Sequence, residues 1–286
     1  MRQMTGRAVS VNGRSVHAEE SGRGTDRVVF EAGQGLGRTC WDAVLPLLAD
    51  RARLLTYDRA GCGRSPRTAR QPTVDDMAAD LVALIGAVVP ESAPVVLVAH
   101  SMGGLIARRA AESLGARLRG LLLLDPTPEQ APVYDAFDRT AARVDRAMGV
   151  TQALVRFRPL ARLVSGNIRR VFPAETYAAM LAEDVVPAGL AQSRKELRAA
   201  AAAIPRFRAA PPARPACPTV LLSASRPVKG RERQHAVIAE HQRRWTATLP
   251  DGRFEAVDSG HFLQAERPEA VADRVRQLLG AEGRRG

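Results

Sequence analysis

The stretch PVVLVAHSMGGLIARRA, residues 94–110, decides how this chain folds. Its apolar run VVLV at 95–98 is typical of a strand that is covered on both faces, as in a parallel sheet. A helical pattern begins only a few residues later, so the chain must turn sharply at Ser101. The small residues Ala99 and Gly103 leave room for that turn. We therefore predict a strand–turn–helix unit that exposes the serine hydroxyl at its tip.

A serine at the tip of such a turn is a candidate nucleophile. The helix that follows directs unpaired N–H groups and the positive end of its dipole towards the hydroxyl, which favours a negative charge forming there. The pattern small-x-Ser-x-Gly is that of a nucleophile elbow, with Ala99 in place of the usual first glycine. The alternative is a serine that only caps the helix of an ordinary turn. We interpret Ser101 as a nucleophile.

The segment AHSMGG after a valine-rich strand resembles the serine-nucleophile branch of the α/β-hydrolase superfamily. Two more motifs carry the resemblance: DRAGCGRS at 58–65, and SGH at 259–261 followed by E-x-P-E at 266–269. It implies an α/β fold with a mostly parallel eight-stranded sheet, helices on both faces and a helical cap inserted into it. It also implies that Ser101 is the nucleophile and His261 the base. Asp58 is interpreted as a structural turn residue that binds backbone N–H groups.

The acid of a Ser–His–Asp triad is harder to place. In much of the superfamily it follows the penultimate strand, but here that place reads SASRPV at 223–228, with no carboxylate before Glu232. A second arrangement in the superfamily puts the acid after the strand that precedes the cap, where Asp125 stands. We predict Asp125 as the acid, with Glu232 and Asp258 as alternatives. A purely structural role for Asp125, capping the turn before Pro126, is the other interpretation.

The loop GQGLG at 33–37 follows a predicted strand at 27–32. It has neither a Walker lysine nor the GxGxxG spacing, so a phosphate site is not indicated. By the resemblance, this loop gives one backbone N–H to an oxyanion hole and the residue after the nucleophile gives the other. These donors map to Gln34 and Met102. Gly35 is an alternative for the loop donor, because the His-Gly often found in the family is Ala-Gly here.

The alternation of strands and helices stops after the predicted strand at 118–124 and resumes near 219. We expect a core at 1–125 and 216–286, and a helical cap at 126–215 that returns through a proline-rich linker beginning at Pro205. One cap helix is expected to end at Gly149. An apolar substrate pocket is predicted from four cap residues, which are Phe137, Met148, Phe157 and Tyr177.

The remaining patterns predict short elements of an α/β fold. Asn12-Gly13 marks a hairpin between two strands at the edge of the sheet. Further strands are expected at 53–57, 219–223 and 253–257, and helices at 40–48, 73–89, 232–249 and 268–279.

Composition limits the possible partners. The net charge is +12, but the basic residues are spread along the whole chain and only 4% of residues are aromatic, so nucleic-acid binding is not expected. No apolar run reaches the roughly 18–20 residues of a membrane span. The N-terminus lacks the apolar centre of a secretory signal, so we expect a cytoplasmic protein. The three cysteines form no CxxC pattern, and neither a metal nor an organic cofactor is implied.

We predict a serine hydrolase that cleaves a small, apolar ester, thioester or lactone-like acyl substrate. A serine nucleophile argues against epoxide hydrolase and dehalogenase chemistry, for which the superfamily uses aspartate. Acyl transfer, cofactor-free perhydrolysis and C–C bond hydrolysis use the same constellation and stay open. A binding protein that kept the fold without turnover is a further alternative.

Overall fold

A computed structural model describes residues 5–280 and places eight strands in one twisted sheet. Their spatial order is β1-β2-β4-β3-β5-β6-β7-β8. The β1–β2 and β2–β4 pairs are antiparallel and all the others are parallel. The predicted fold class is therefore confirmed. The strands are β1 (Thr5–Val11), β2 (Arg14–Gly22), β3 (Asp26–Glu31), β4 (Ala52–Asp58), β5 (Val95–His100), β6 (Leu118–Leu124), β7 (Thr219–Ala224) and β8 (Gly252–Val257).

Helices cover both faces of this sheet, and a separate apolar core lies on each face. They are α1 (Leu45–Leu48), α2 (Val74–Val88), α3 (Gly103–Leu114), α4 (Phe137–Leu154), α5 (Arg158–Val164), α6 (Gly166–Val171), α7 (Ala174–Glu183), α8 (Pro187–Ala209), α9 (Glu232–Ala247), α10 (Leu263–Glu266) and α11 (Pro268–Leu279). Helices α2 and α3 pack on one face, whereas α1 and α11 pack on the other. Within residues 5–280, none of the helices combines the length and the apolar character that crossing a bilayer requires.

The predicted hairpin is confirmed at the edge of the sheet. Asn12 and Gly13 both have positive φ, 47° and 73°, which matches the turn that joins right-twisted antiparallel strands. The predicted helix at 40–48 is instead two short pieces, a 3₁₀ turn at Arg38–Trp41 and then α1. The reason is Pro46, which has no N–H to continue a helix but is well tolerated in the first turn of a new one.

Helices α4 to α8 lie between β6 and β7 and are called the insertion below. Two expectations about it were wrong. Helix α4 continues through Gly149 to Leu154, because this glycine lies against Arg194 of α8 and the packing outweighs its low helix propensity, about 1 kcal/mol. Helix α8 continues through Pro205 to Ala209, since Phe207 is buried in the core and anchors the last turn. The non-helical linker therefore begins at 210.

The end points of the predicted core lie beyond the described part of the chain. Residues 1–4 and 281–286 belong to the predicted core but fall outside the described residues.

Candidate active site

Ser101 sits between the end of β5 and the start of α3, in a strained backbone conformation with φ of 55°. Its N–H donates to Leu124 O at 2.9 Å, and its carbonyl accepts from Gly104 N at 3.0 Å. The turn is so tight that a Cβ on Gly103 would lie 2.6 Å from Ala32 O. The sequence therefore folds locally as predicted, with the serine side chain at the tip of the turn.

His261 bridges Ser101 and Asp125. Its Nδ1 lies 2.6 Å from Asp125 Oδ2 and its Nε2 lies 3.0 Å from Ser101 Oγ. A carboxylate can only accept, so Nδ1 carries the proton and Nε2 is free to accept the serine O–H. The three side chains therefore stand in the order and tautomer that a nucleophile, a base and an orienting acid require.

Asp125 is fixed at the carboxyl end of β6. Its φ is 41°, and its N–H donates to Leu222 O on β7 at 2.7 Å. The Gln242 amide donates to Asp125 Oδ1 at 3.0 Å and to Pro126 O at 2.8 Å. Burial by itself would raise the pKa of Asp125, but hydrogen bonding and charge from His261, together with the Gln242 amide, hold it below its usual value. The carboxylate therefore stays charged beside the imidazole.

The two alternative acids lie in other surroundings. Glu232 accepts from Gly230 N at 2.8 Å at the start of α9, and this hydrogen bond lowers its pKa. Asp258 is 74% exposed and pairs with Arg226 and Arg267. Neither carboxylate hydrogen-bonds to His261, whose Nδ1 is already taken by Asp125.

The loop that carries His261 is held from two sides. The buried His100 donates from Nε2 to the carbonyl of His261 at 2.9 Å, and the two rings lie 4.7 Å apart. Glu266 accepts from Gly260 N at 3.1 Å and pairs with Arg226. Burial, followed by the charge of His261, lowers the pKa of His100 to about 3. His100 therefore stays neutral and adds no positive charge next to the base.

The loop at 33–37 lies against Ser101. A Cβ on Gly33 would come within 3.3 Å of Ser101 Cβ and 2.7 Å of His100 Nδ1, so only glycine fits there. The Gly35 N–H donates to Glu196 Oε2 at 2.7 Å and is not available to a substrate. The N–H groups of Gln34 and Met102, in contrast, make no hydrogen bond within residues 5–280. These two donors are the ones that can bind an oxyanion.

The insertion holds this loop in place. Gln34 donates from its side chain to Ser193 O on α8 at 3.2 Å. The Gly37 N–H donates to Asp184 Oδ2, just after α7, also at 3.2 Å. With Glu196 on α8, three groups of the insertion thus bind three of the five loop residues, which are Gln34, Gly35 and Gly37. The position of the candidate oxyanion donors depends on α7 and α8.

The four residues predicted to line a pocket do not share one environment. Phe137 packs its ring on Tyr134 at 5.2 Å, near Asp125, and Met148 is half-buried further along α4. Phe157 is 65% exposed on the outside of the insertion. Tyr177 is buried, and its hydroxyl is 2.9 Å from the Ser165 hydroxyl. Of the four, Phe137 contacts a side chain, Tyr134, whose pKa is raised in part by the charge of Asp125.

Tyr134 is one side chain near the site that sequence reasoning missed. Burial and then the negative charge of Asp125 raise its pKa to about 12, while a hydrogen bond with Thr127 acts in the opposite direction. Gln242 is another, a polar residue in the middle of a helix full of polar residues. No local pattern in the sequence distinguishes Tyr134 or Gln242.

Asp58 has the structural role that the sequence predicted. It binds the N–H groups of Arg38 and Arg64 at 2.8 and 3.0 Å, which confirms its turn role.

Comparison with known proteins adds an independent line of evidence. A family model described as the alpha/beta hydrolase family matches residues 28–274. RutD of Caulobacter sp. strain K31, a proposed carbamate hydrolase, is 30% identical over 166 residues, which are 57% of this chain and 58% of that protein. A pimeloyl-(acyl-carrier protein) methyl ester esterase of Aeromonas hydrophila is 32% identical over 114 residues, 40% of this chain and 42% of that protein. The chain thus matches about half the length of these curated relatives.

A solved structure of a proposed alpha/beta hydrolase from Nostoc sp. PCC 7120 has the same fold. It is similar to this chain with a TM-score of 0.77 at 22% identity, covering 98% of this chain and 99% of that one.

Proposed function

The chain belongs to the alpha/beta hydrolase family, and we propose that it is a serine hydrolase for ester, thioester or lactone-like substrates. The observation that carries the proposal is the continuous hydrogen-bonded path from Ser101 Oγ through His261 to Asp125 Oδ2. A structural serine or histidine does not need such a path, whereas acyl transfer to a serine does.

In the proposed reaction, His261 Nε2 takes the Ser101 proton while Oγ attacks the carbonyl carbon of the substrate. The tetrahedral intermediate collapses as His261 returns the proton to the leaving group, leaving an acyl-enzyme. Water, deprotonated by the same nitrogen, then releases the acid and frees the serine. Asp125 stays ionised throughout and stabilises the imidazolium through Nδ1, which its lowered pKa supports.

The oxyanion is proposed to bind the backbone N–H groups of Gln34 and Met102. Both groups lack a protein partner in the described part of the chain, and both lie in segments packed on Ser101. Removal of one such donor typically costs on the order of 10²–10³ in kcat.

We also propose that residues 126–215 act as a cap that shapes the acyl pocket, with Phe137 on its wall. The carbamate hydrolase and methyl ester esterase names of the relatives fit attack at a carbonyl carbon. Acyl transfer, perhydrolysis and C–C hydrolysis would use the same residues, and no observation favours one of them. The apolar character of the substrate, like the cytoplasmic location, stays a prediction.

The test is the variant Ser101→Ala, measured with p-nitrophenyl esters of several acyl chain lengths. We expect kcat to fall by roughly 10⁴–10⁶, with the circular dichroism spectrum unchanged. The exposed Ser113→Ala on α3 is the matched control and should keep full activity. A fluorophosphonate probe should label the wild type and the control but not Ser101→Ala. Normal turnover by Ser101→Ala would overturn the proposal.

A further inference from the structure

The exposed apolar side chains of this protein are concentrated in one stretch of the insertion. Among residues 5–280, seven large apolar side chains are exposed, and six of them lie between positions 144 and 164. A scattered surface apolar residue needs no explanation, but such a concentration marks an interaction site. The six are Val144, Val150, Leu154, Phe157, Leu163 and Val164.

Arginines and apolar residues share the outer side of α4. Positions 139, 143, 146, 150 and 154 follow each other at helical spacing, so their side chains line one stripe of the helix. All five are exposed, since the opposite side of α4 packs on α8. From the first to the last position, the stripe reads Arg139, Arg143, Arg146, Val150 and Leu154.

More exposed arginines and apolar side chains follow directly along the chain, where α4 ends and α5 begins. Phe157 stands between Arg156 and Arg158, and Leu163 follows Arg162 on α5. The two apolar side chains protrude, with exposed fractions of 65% for Phe157 and 75% for Leu163. We call the ten residues of this stripe and its continuation the arginine face.

Among residues 5–280, the cations of the arginine face have no carboxylate as a salt-bridge partner. The segment 137–171 contains eight arginines against two aspartates, which amounts to half of the net charge of the chain on an eighth of its length. Within the described residues, none of these eight arginines donates a hydrogen bond or pairs with a carboxylate. One aspartate, Asp145, is already engaged by Arg194 and Arg198 of α8. The face therefore offers unneutralised positive charge around apolar tips.

We propose that the arginine face docks the protein on an anionic lipid surface. Apolar side chains in the acyl–headgroup boundary, surrounded by arginines among the headgroups, are the pattern of a helix that lies on a membrane. A compact acidic protein would offer its charge but would leave the protruding Phe157 and Leu163 without a pocket. A nucleic acid would need stacking aromatics, and Phe157 is the only aromatic residue of the face.

The arginine face lies on a segment that begins and ends beside the candidate active site. Phe137, at the start of α4, contacts Tyr134, whose pKa responds to the charge of Asp125. Phe172, just after α6, contacts Phe262 with ring centroids 5.3 Å apart, and Phe262 is next to His261. Docking through this face would therefore anchor to the lipid surface the segment that contacts both Tyr134 and Phe262.

The experiment is sedimentation of the full chain with vesicles of phosphatidylcholine and phosphatidylglycerol at about 7:3, with pure phosphatidylcholine vesicles for comparison. We expect the wild type to bind only the anionic vesicles, and to bind more weakly at about 0.5 M salt than at about 0.1 M. The triple variant Arg156→Gln, Arg158→Gln, Arg162→Gln should bind on the order of a hundredfold more weakly. The double variant Phe157→Asp, Leu163→Asp should bind at least about tenfold more weakly.

Two matched controls lie away from the face. Val228→Asp changes an exposed apolar residue of similar exposure, 68%. The double variant Arg231→Gln, Arg233→Gln removes two exposed arginines at the start of α9. Both should bind like the wild type. The proposal is overturned if the wild type does not bind anionic vesicles, even if it binds an acidic protein, or if the controls lose as much binding as the face variants. Because vesicle binding is the readout, its failure would leave the serine hydrolase proposal untouched.

Discussion

At the scale of single residues, the proposed acid Asp125 is held from several sides. Asp125 stands at a bend with positive φ, where its backbone N–H is tied to β7 and its side chain is held by Gln242 and His261. Such strain persists only where the surrounding structure fixes it. We infer that the positive φ serves to aim the carboxylate at His261 Nδ1 rather than to close the turn.

Replacement of Asp125 by asparagine tests that role. An amide of the same shape can hold the wrong imidazole tautomer and cannot stabilise the imidazolium, so we expect Asp125→Asn to lower kcat by roughly 10³–10⁴. Steady-state ester hydrolysis measures the change. Glu232→Gln is the control and should alter kcat by less than about tenfold, because Glu232 binds only its own turn. An active Asp125→Asn beside an inactive Glu232→Gln would show that the acid follows the later strand.

At the scale of elements, a buried ion cluster joins α8 to the sheet. Arg59, after β4, donates to Glu31 at 2.6 Å and to Glu196 at 2.9 and 3.0 Å. Tyr57 also donates to Glu31, and Glu196 accepts from the Gly35 N–H. Burial raises the pKa of Glu31, although the charge of Arg59 acts in the opposite direction. One cation thus pairs with two carboxylates, Glu31 from the sheet and Glu196 from the insertion.

Loss of the Glu196 charge should destabilise the whole protein. The Glu196 carboxylate accepts hydrogen bonds from the Arg59 guanidinium and from the Gly35 N–H, and loss of hydrogen bonds to a buried charged group costs about 1.5–3 kcal/mol. We expect Glu196→Gln to lower the free energy of unfolding by about 3 kcal/mol, although Arg59 keeps Glu31 as a partner. Urea unfolding monitored by circular dichroism measures the change. Glu240→Gln, which breaks an exposed pair with Arg244, should cost less than about 1 kcal/mol. If Glu196→Gln and Glu240→Gln lowered the free energy of unfolding equally, the buried ion cluster would not be the cause of the loss.

At the scale of the whole molecule, two buried carboxylates meet where the insertion joins the sheet. A Cβ on Gly37 would lie 2.6 Å from Asp58 Oδ1 and 2.8 Å from Asp184 Oδ1. Burial, followed by the charge of Asp58, raises the pKa of Asp184 to about 8. Asp184 is thus a neutral acid at neutral pH and holds the Gly37 N–H without adding a second charge.

Because the pKa of Asp184 is raised in the folded protein, this residue makes the free energy of unfolding fall as the pH rises. Below about pH 4, Asp184 is protonated in both the folded and the unfolded chain. Between about pH 4 and 8, the unfolded chain loses this proton while the folded chain keeps it, so the free energy of unfolding falls as the pH rises. Asp184→Asn mimics the neutral acid and should remove this contribution. Urea unfolding of both proteins at several pH values should show the wild type losing stability relative to Asp184→Asn from pH 5 to pH 8. If the difference in the free energy of unfolding between wild type and Asp184→Asn were the same at every pH, the raised pKa of Asp184 would be contradicted.

Patterns confined to short stretches of sequence were predicted well. The elbow at Ser101, the hairpin at Asn12-Gly13 and the alternation of strands and helices each depend on neighbours within about ten residues. The predicted helix ends were wrong where tertiary packing outweighs the low helix propensity of a glycine or proline. Gly149 and Pro205 lie inside helices because α4 packs on α8 and because Phe207 is buried in the core.

The sequence by itself determined the fold class and two of the three candidate triad residues, since Ser101 and His261 each lie in a local motif. Only the tertiary structure placed a carboxylate on His261, because Asp125 is 136 residues away along the chain and Gln242 is 117 residues from Asp125. Their contacts arise from the order of strands, which brings the carboxyl ends of β5, β6, β7 and β8 to one edge of the sheet. The same holds for the loop donors, where Glu196 on α8 takes the Gly35 N–H and leaves that of Gln34 without a protein partner. Contacts of this kind have no signature in a local stretch of sequence, because the two partners share nothing but their place in the folded chain.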